Sequence, residues 1–176
     1  MNSTALRIRK KYRVQYIYRP GRYLADAHLE ILVNKLRDTA ATCFSELPPY
    51  QVMVGTRSEL ADKVLAVAWR QDGKIAGFCS TVLLFVPGIG DVLHLGLTCV
   101  RPEDRSSGLT HILTKKAITG YLIRRKPVGK LWITNCAAVL SSLGNVALHF
   151  DGIYPSPLGK GKPTIKHIRI AQVIEH

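Results

Sequence analysis

Between Lys63 and Val100 the chain consists of three apolar, β-branched runs separated by two tight turns, and few architectures accommodate that pattern. Lys63–Arg70 and Lys74–Phe85 flank Gln71-Asp72-Gly73, and Asp-Gly between two apolar runs is a strong hairpin signal. Pro87 to Asp91 forms a second turn, followed by the run Val92–Val100. Three consecutive antiparallel strands are expected here.

After Pro102 the period changes. Leu109, Ile112, Leu113, Ala117, Tyr121 and Leu122 recur at helical spacing up to Arg124-Arg125-Lys126-Pro127, and Lys130–Thr134 is a short apolar strand. Strand, helix, strand in this order implies a right-handed crossover and one parallel pair. Upstream, Tyr12–Tyr18 alternates as a first strand ended by Pro20-Gly21, and a helix is expected between Tyr23 and Glu46. Downstream, a helix is expected over Ala138–His149. Lys166–Ile174 is expected as a last strand with Ile168, Ile170 and Val173 as its apolar members. The expected class is α/β (α+β), a mixed, mostly antiparallel sheet flanked by helices. One domain is expected over residues 1–176, with residues 1–11 a basic N-terminus open to disorder.

Composition narrows the function classes. A 176-residue chain with 47% hydrophobic residues is expected to fold, and a net charge of +13 favours acidic ligands, phosphates above all. Val82–Val100 is about long enough to span a bilayer, but Pro87, Gly88, Gly90, Asp91 and His94 interrupt it. The basic N-terminus has no apolar run behind it, so no membrane association and an intracellular, cytoplasmic location are expected. Cys43, Cys79, Cys99 and Cys136 lie far apart without metal-ligand spacing; buried reduced thiols and no metal site are expected.

The chemistry is concentrated at one strand-to-helix junction, Val100-Arg101-Pro102-Glu103-Asp104-Arg105-Ser106-Ser107-Gly108-Leu109-Thr110. A helix beginning near Ser107 presents unpartnered amides and the positive end of its dipole. Gly108 lets an anion approach the backbone, Ser106 and Ser107 add hydroxyls, and Arg105 adds charge. An ordinary helix start capped by Ser106 or Ser107 explains the same residues. Between Arg105 and Phe150 there are seven Lys or Arg and no acid, which favours a phosphate-rich ligand or a basic surface.

This junction resembles the best-known motif of the GNAT superfamily of acyl-CoA-dependent N-acyltransferases: apolar strand, Val-x-Pro, two residues, then Arg/Gln-x-x-Gly-x-Gly/Ala opening a helix. Val100-Arg101-Pro102 and Arg105-Ser106-Ser107-Gly108-Leu109-Thr110 keep the spacing, with Thr110 in the final small position. The resemblance implies transfer of an acyl group, most simply acetyl, from acetyl-CoA or another acyl-CoA to a small-molecule or peptide amine. It also implies that the CoA pyrophosphate sits on the amides from Arg105 to Thr110. The strand before it would splay at a bulge, so that the main chain of Thr98, Cys99 and Val100 meets the pantetheine arm and an unpaired amide holds the oxyanion. Asn145 would contact the same arm. Phe150 stands where the family often has a tyrosine acid, so that role would move to Tyr154 or His149. His94, placed by alternation on the face of Gly96 and Thr98, is the base candidate. A monomer or homodimer fits either way.

Two alternatives use the same residues. The first 22 positions hold seven basic residues and no acid, interleaved with Tyr12, Tyr16 and Tyr18, as in a nucleic-acid-binding domain. Phe150 and Thr110 fit a catalytically reduced acyl-CoA-binding domain.

Overall fold

The computed structural model describes residues 11–125, 130–136, 153–155 and 162–174. Five strands form one sheet in sequence order: β1 (Arg13–Tyr18), β2 (Lys63–Trp69), β3 (Ile75–Val86), β4 (Gly90–Val100) and β5 (Trp132–Asn135). All neighbours are antiparallel except β4 and β5, whose parallel register runs from Val92–Trp132 to Leu95–Asn135. The helices are α1 (Pro20–Tyr23), α2 (Asp26–Ala40), α3 (Leu109–Arg125) and α4 (Ile165–Ile174).

Both faces of the sheet are covered, which is why β2 is buried along nearly its whole length. On one face Leu29, Leu32, Val33, Leu36 and Ala40 of α2 pack on Leu65, Val67, Leu97 and Cys99. On the other, Leu109, Leu113 and Ala117 of α3 pack on Ala66, Ala68, Ala76, Cys79 and Val100. The small residues at alternate positions of β2 bring α3 close to the strands. No helix among the described residues is long and apolar enough to cross a membrane.

The expected last strand is a helix. Ile168 and Ile170 alternate as strand residues would, but Ile170, Val173 and Ile174 fall at i, i+3 and i+4 and pack against Val86 and Val92, whereas Ile168 is exposed. Thr164 caps this helix: its Oγ1 accepts from the His167 amide at 3.4 Å, while its own amide donates to His167 Nδ1 at 3.0 Å. That reciprocal arrangement is a capping box with histidine in the third position. The helix expected over Ala138–His149 and the basic segment 1–10 lie outside the described residues. Of the four thiols, Cys79 and Cys99 are buried and Cys43 half-buried, but Cys136 is exposed, against expectation.

Candidate functional site

The functional junction begins where β4 loses a partner. Pairing with β5 ends at Leu95–Asn135, so from Gly96 to Val100 no described residue pairs with β4 on that side, while pairing with β3 continues to Val100. A bulge coincides with this divergence. Cys79 pairs with Thr98 and Thr81 with Leu95, so Gly96 and Leu97 together face Ser80.

The chain then makes a short 3₁₀ turn, Pro102–Asp104, and enters α3 through Arg105 to Gly108. Ser106 and Gly108 have φ of 60° and 77°, the left-handed region. The Gly108 carbonyl accepts from the Ile112 amide at 3.3 Å, so Gly108 stands at the N-cap, one residue later than expected. It has no side chain to cap with. The Ser107 hydroxyl turns back to donate to the Asp104 carbonyl at 2.7 Å. With Gly108 at the N-cap and the Ser107 hydroxyl on Asp104, the reading of a serine-capped helix does not hold. A Cβ at Gly108 would meet nothing within 4 Å, leaving the helix start open to an approaching anion.

Asp104, read from sequence only as a spacer, holds this loop in place. It is 1% exposed. Its Oδ1 accepts from the Tyr12 hydroxyl and from Lys11 Nζ at 3.1 Å, and its Oδ2 from Arg70 Nε at 2.9 Å and Nη2. Arg70 also reaches Glu103 at 2.7 Å. Burial pushes the Asp104 carboxyl up, but the hydrogen bonds from Tyr12, Arg70 and Lys11 outweigh it and hold the group below the usual carboxylate range.

Arg105 is exposed, and its Nε donates to the Val100 carbonyl at 3.3 Å, which also receives Cys43 Sγ at 3.4 Å. Two members of the one-sign stretch do not converge on the loop. Arg124 and Arg125 lie at the other end of α3, about 24 Å along the helix axis, where Arg124 stacks over Tyr18 at 4.5 Å and Arg125 pairs with Asp91 at 3.2 Å.

At the bulge itself the Leu97 amide has a side-chain partner. Leu97 N donates to Gln51 Oε1 at 3.0 Å, with Ser80 Oγ 3.4 Å from the same oxygen. Gln51 opens a 3₁₀ turn with φ of 53°, and its side chain lies directly on Gly96: a Cβ there would sit 2.2 Å from Oε1. Nothing in the sequence distinguished Gln51.

No family model and no curated protein sequence matches this chain. Solved structures do. A ribosomal-protein-alanine N-acetyltransferase from Brucella melitensis biovar Abortus 2308 superposes at a TM-score of 0.52, covering 88% of this chain and 98% of its own at 16% identity. A GCN5-related N-acetyltransferase from Ralstonia eutropha JMP134 gives 0.52, with 87% and 98% covered at 12% identity. This chain has the GNAT fold. An aminoglycoside acetyltransferase from an uncultured soil metagenomic sample, in complex with sisomicin, gives 0.53 over 89% and 95% at 12% identity.

Within this GNAT fold the proton-transfer candidates separate from the Arg105–Gly108 loop. Val92 packs with α4 and Leu93 with α3, so His94 points to the face of α2 and α4. Beyond the bulge the alternation is displaced: Leu97 and Cys99 take that face, and Thr98, in register with Cys79 beside α3, takes the other. His94 therefore does not share a face with Thr98. It is half-buried, its Nδ1 is 2.8 Å from Thr134 Oγ1, and burial pushes its imidazole below the usual histidine range. Tyr154 is exposed and stacks on His167 at 5.1 Å; His167 meets Trp132 edge-on at 5.4 Å. Trp132 and Thr134 alternate onto one face of β5, which puts Tyr154 on the same side of the sheet as His94. Asn145, His149 and Phe150 lie outside the described residues.

Proposed function

We propose that this chain is an N-acyltransferase, most simply an N-acetyltransferase, with acetyl-CoA or another acyl-CoA as donor. One observation carries the reading: a helix start with open space around its N-cap Gly108, next to Arg105, follows directly on a strand whose Gly96–Val100 half has no described partner toward β5. The helix start suits a pyrophosphate, and a strand with an open side suits an extended amide-bearing arm. The main chain of Thr98, Cys99 and Val100 would line that arm, with the Val100 carbonyl exchanging its Arg105 and Cys43 contacts for it. Arg105 then turns to the phosphates together with Ser106, Ser107 and the amides of Gly108, Leu109 and Thr110. The named acceptors of fold relatives, a ribosomal-protein alanine and an aminoglycoside, agree with a peptide or small-molecule amine as acceptor here.

In this reading the amine nitrogen attacks the thioester carbonyl, the C–S bond breaks, and the sulfur leaves as thiolate. The nitrogen's proton passes to His94, which burial keeps neutral near pH 7, and the Tyr154 hydroxyl protonates the thiolate. Nucleic-acid binding loses support because Tyr12 is buried on Asp104 and the Tyr16 ring packs on Gly120 of α3.

Calorimetric titration with CoA tests the assignment. Wild-type protein should give a saturable isotherm, and Gly108→Asp should weaken it by roughly 10- to 100-fold. The substitution puts a like charge where the phosphate approaches, while the space around Gly108 keeps the structural cost to roughly 1–2 kcal/mol of left-handed backbone strain. A folded Gly108→Asp protein with undiminished CoA affinity would overturn the site.

A further inference from the structure

The Leu97 amide of the β4 bulge is not bare; it carries Gln51. Leu97 N–H is a donor only, so the atom of the Gln51 carboxamide that faces it at 3.0 Å has to be the oxygen. Ser80 Oγ lies 3.4 Å from the same oxygen. The orientation of the group is thereby decided, and Nε2 with its two N–H donors is turned away from the bulge. Among the described residues no acceptor takes Nε2, and it is not among the buried atoms lacking a partner. The side chain rests on Gly96, the one residue type that leaves room for it: a Cβ there would lie 2.2–2.6 Å from Oε1, Nε2 and Cδ. Its backbone is held at φ 53°, a conformation that costs a non-glycine residue roughly 1–3 kcal/mol.

A strained residue, an oriented amide and a glycine that makes space for it meet at the point where β4 parts from β5. Gly96 to Val100 spans about 13 Å of strand. An acyl-CoA arm running from the anion loop along that stretch brings its thioester to Gln51. His94, two residues before Gly96, faces the same side of the sheet.

We propose that Gln51 is a catalytic residue of this site: its Nε2–H donates to the thioester carbonyl oxygen and to the oxyanion formed there, while Oε1 stays anchored on Leu97 N–H. The bulge amide then acts through the carboxamide, each hydrogen bond polarising the next. Side-chain amides serve as oxyanion donors in this way, and one such donor contributes roughly 10²- to 10³-fold to a rate. The proposal rests on the acyl-CoA reading above, and its test keeps the two apart without needing the acceptor.

The experiment binds acetyl-CoA labelled with ¹³C at the thioester carbonyl and records its isotope-edited infrared stretch. CoA and acetyl-CoA affinities are measured calorimetrically on the same samples. Bound to wild-type protein, the carbonyl stretch should move to lower frequency than in water. In Gln51→Glu, which can still accept from Leu97 N–H but has lost the donor, the shift should vanish. The affinity for acetyl-CoA should fall roughly three- to tenfold relative to that for CoA, one neutral hydrogen bond's worth. Gln51→Asn tolerates the left-handed backbone and draws the donor back by one methylene; it should lose the shift as well, which keeps the test open should the glutamate variant fail to fold. A downshift that persists in a folded variant, or a wild-type complex with no downshift, overturns the role of Gln51 and leaves the acyl-CoA site standing. A wild-type protein that titrates with neither CoA nor acetyl-CoA overturns both.

Discussion

His94→Ala is expected to transfer the acyl group roughly 10²- to 10⁴-fold more slowly than wild type while binding CoA with the same affinity. The ring is oriented through its contact with Thr134 Oγ1 at 2.8 Å. With Nδ1–H donating there, Nε2 carries the lone pair that takes a proton. Burial disfavours the charged imidazole, so the folded-state pKa lies below the ordinary value of about 6.5. The sign follows from the proposed role: a base works in its neutral form, and activity should be lost as pH falls through that lowered value. The check is a pH–rate profile with a productive amine for both proteins. Wild type should show an acidic limb below about pH 6.5, and the variant none. A His94→Ala rate within threefold of wild type across the profile would leave the protons to solvent and the site to positioning alone.

Asp104→Ala should destabilise the fold by about 3–5 kcal/mol, because it strands the Tyr12 hydroxyl and the Arg70 guanidinium around a carboxylate that is 1% exposed. Lys11, largely exposed, recovers water and keeps the loss toward the lower figure. The folded carboxyl titrates below its ordinary range. Its contribution is therefore fully present above the unfolded value of about 3.9 and disappears as pH falls through the lower folded value. Urea unfolding of wild type and variant at pH 7 and pH 3 measures both effects, and the gap between the proteins should narrow at the lower pH. A loss under about 1 kcal/mol at pH 7 would mean that the cluster contributes no more than a surface ion pair.

Local chemistry was readable where it was local. Asp72-Gly73 and the β-branched runs around it predict the β2–β3 hairpin because the turn and its flanking strands are contiguous. The α3 stripe of Leu109, Leu113, Ala117 and Tyr121 is long enough to display a helical period. The C-terminal segment is too short for that: Ile168 and Ile170 mimic a strand, and the decisive signal, Thr164 with His167 three residues on, differs from the usual capping pair. The face of Thr98 was misjudged because one inserted residue shifts every later side chain across the sheet, and only Gly96 marks the place. Gln51 and Asp104 were illegible for another reason. Their partners stand at Leu97 and Ser80, and at Lys11, Tyr12 and Arg70, and no spacing rule connects positions that meet only when the sheet has formed.

The Asp104 cluster also bears on modularity. The residues that resemble a motif occupy one short stretch, Val100 to Thr110, yet the shape of that stretch is enforced by groups 92 and 93 positions earlier, on the far edge of the sheet, and by a third 34 positions earlier. The junction is therefore not a portable cassette. Moved to another scaffold as strand, loop and helix, it would keep every recognisable letter and lose the buttress that aims its amides. Conversely, a chain whose first strand diverged could keep the motif intact and still have lost the shape of this loop.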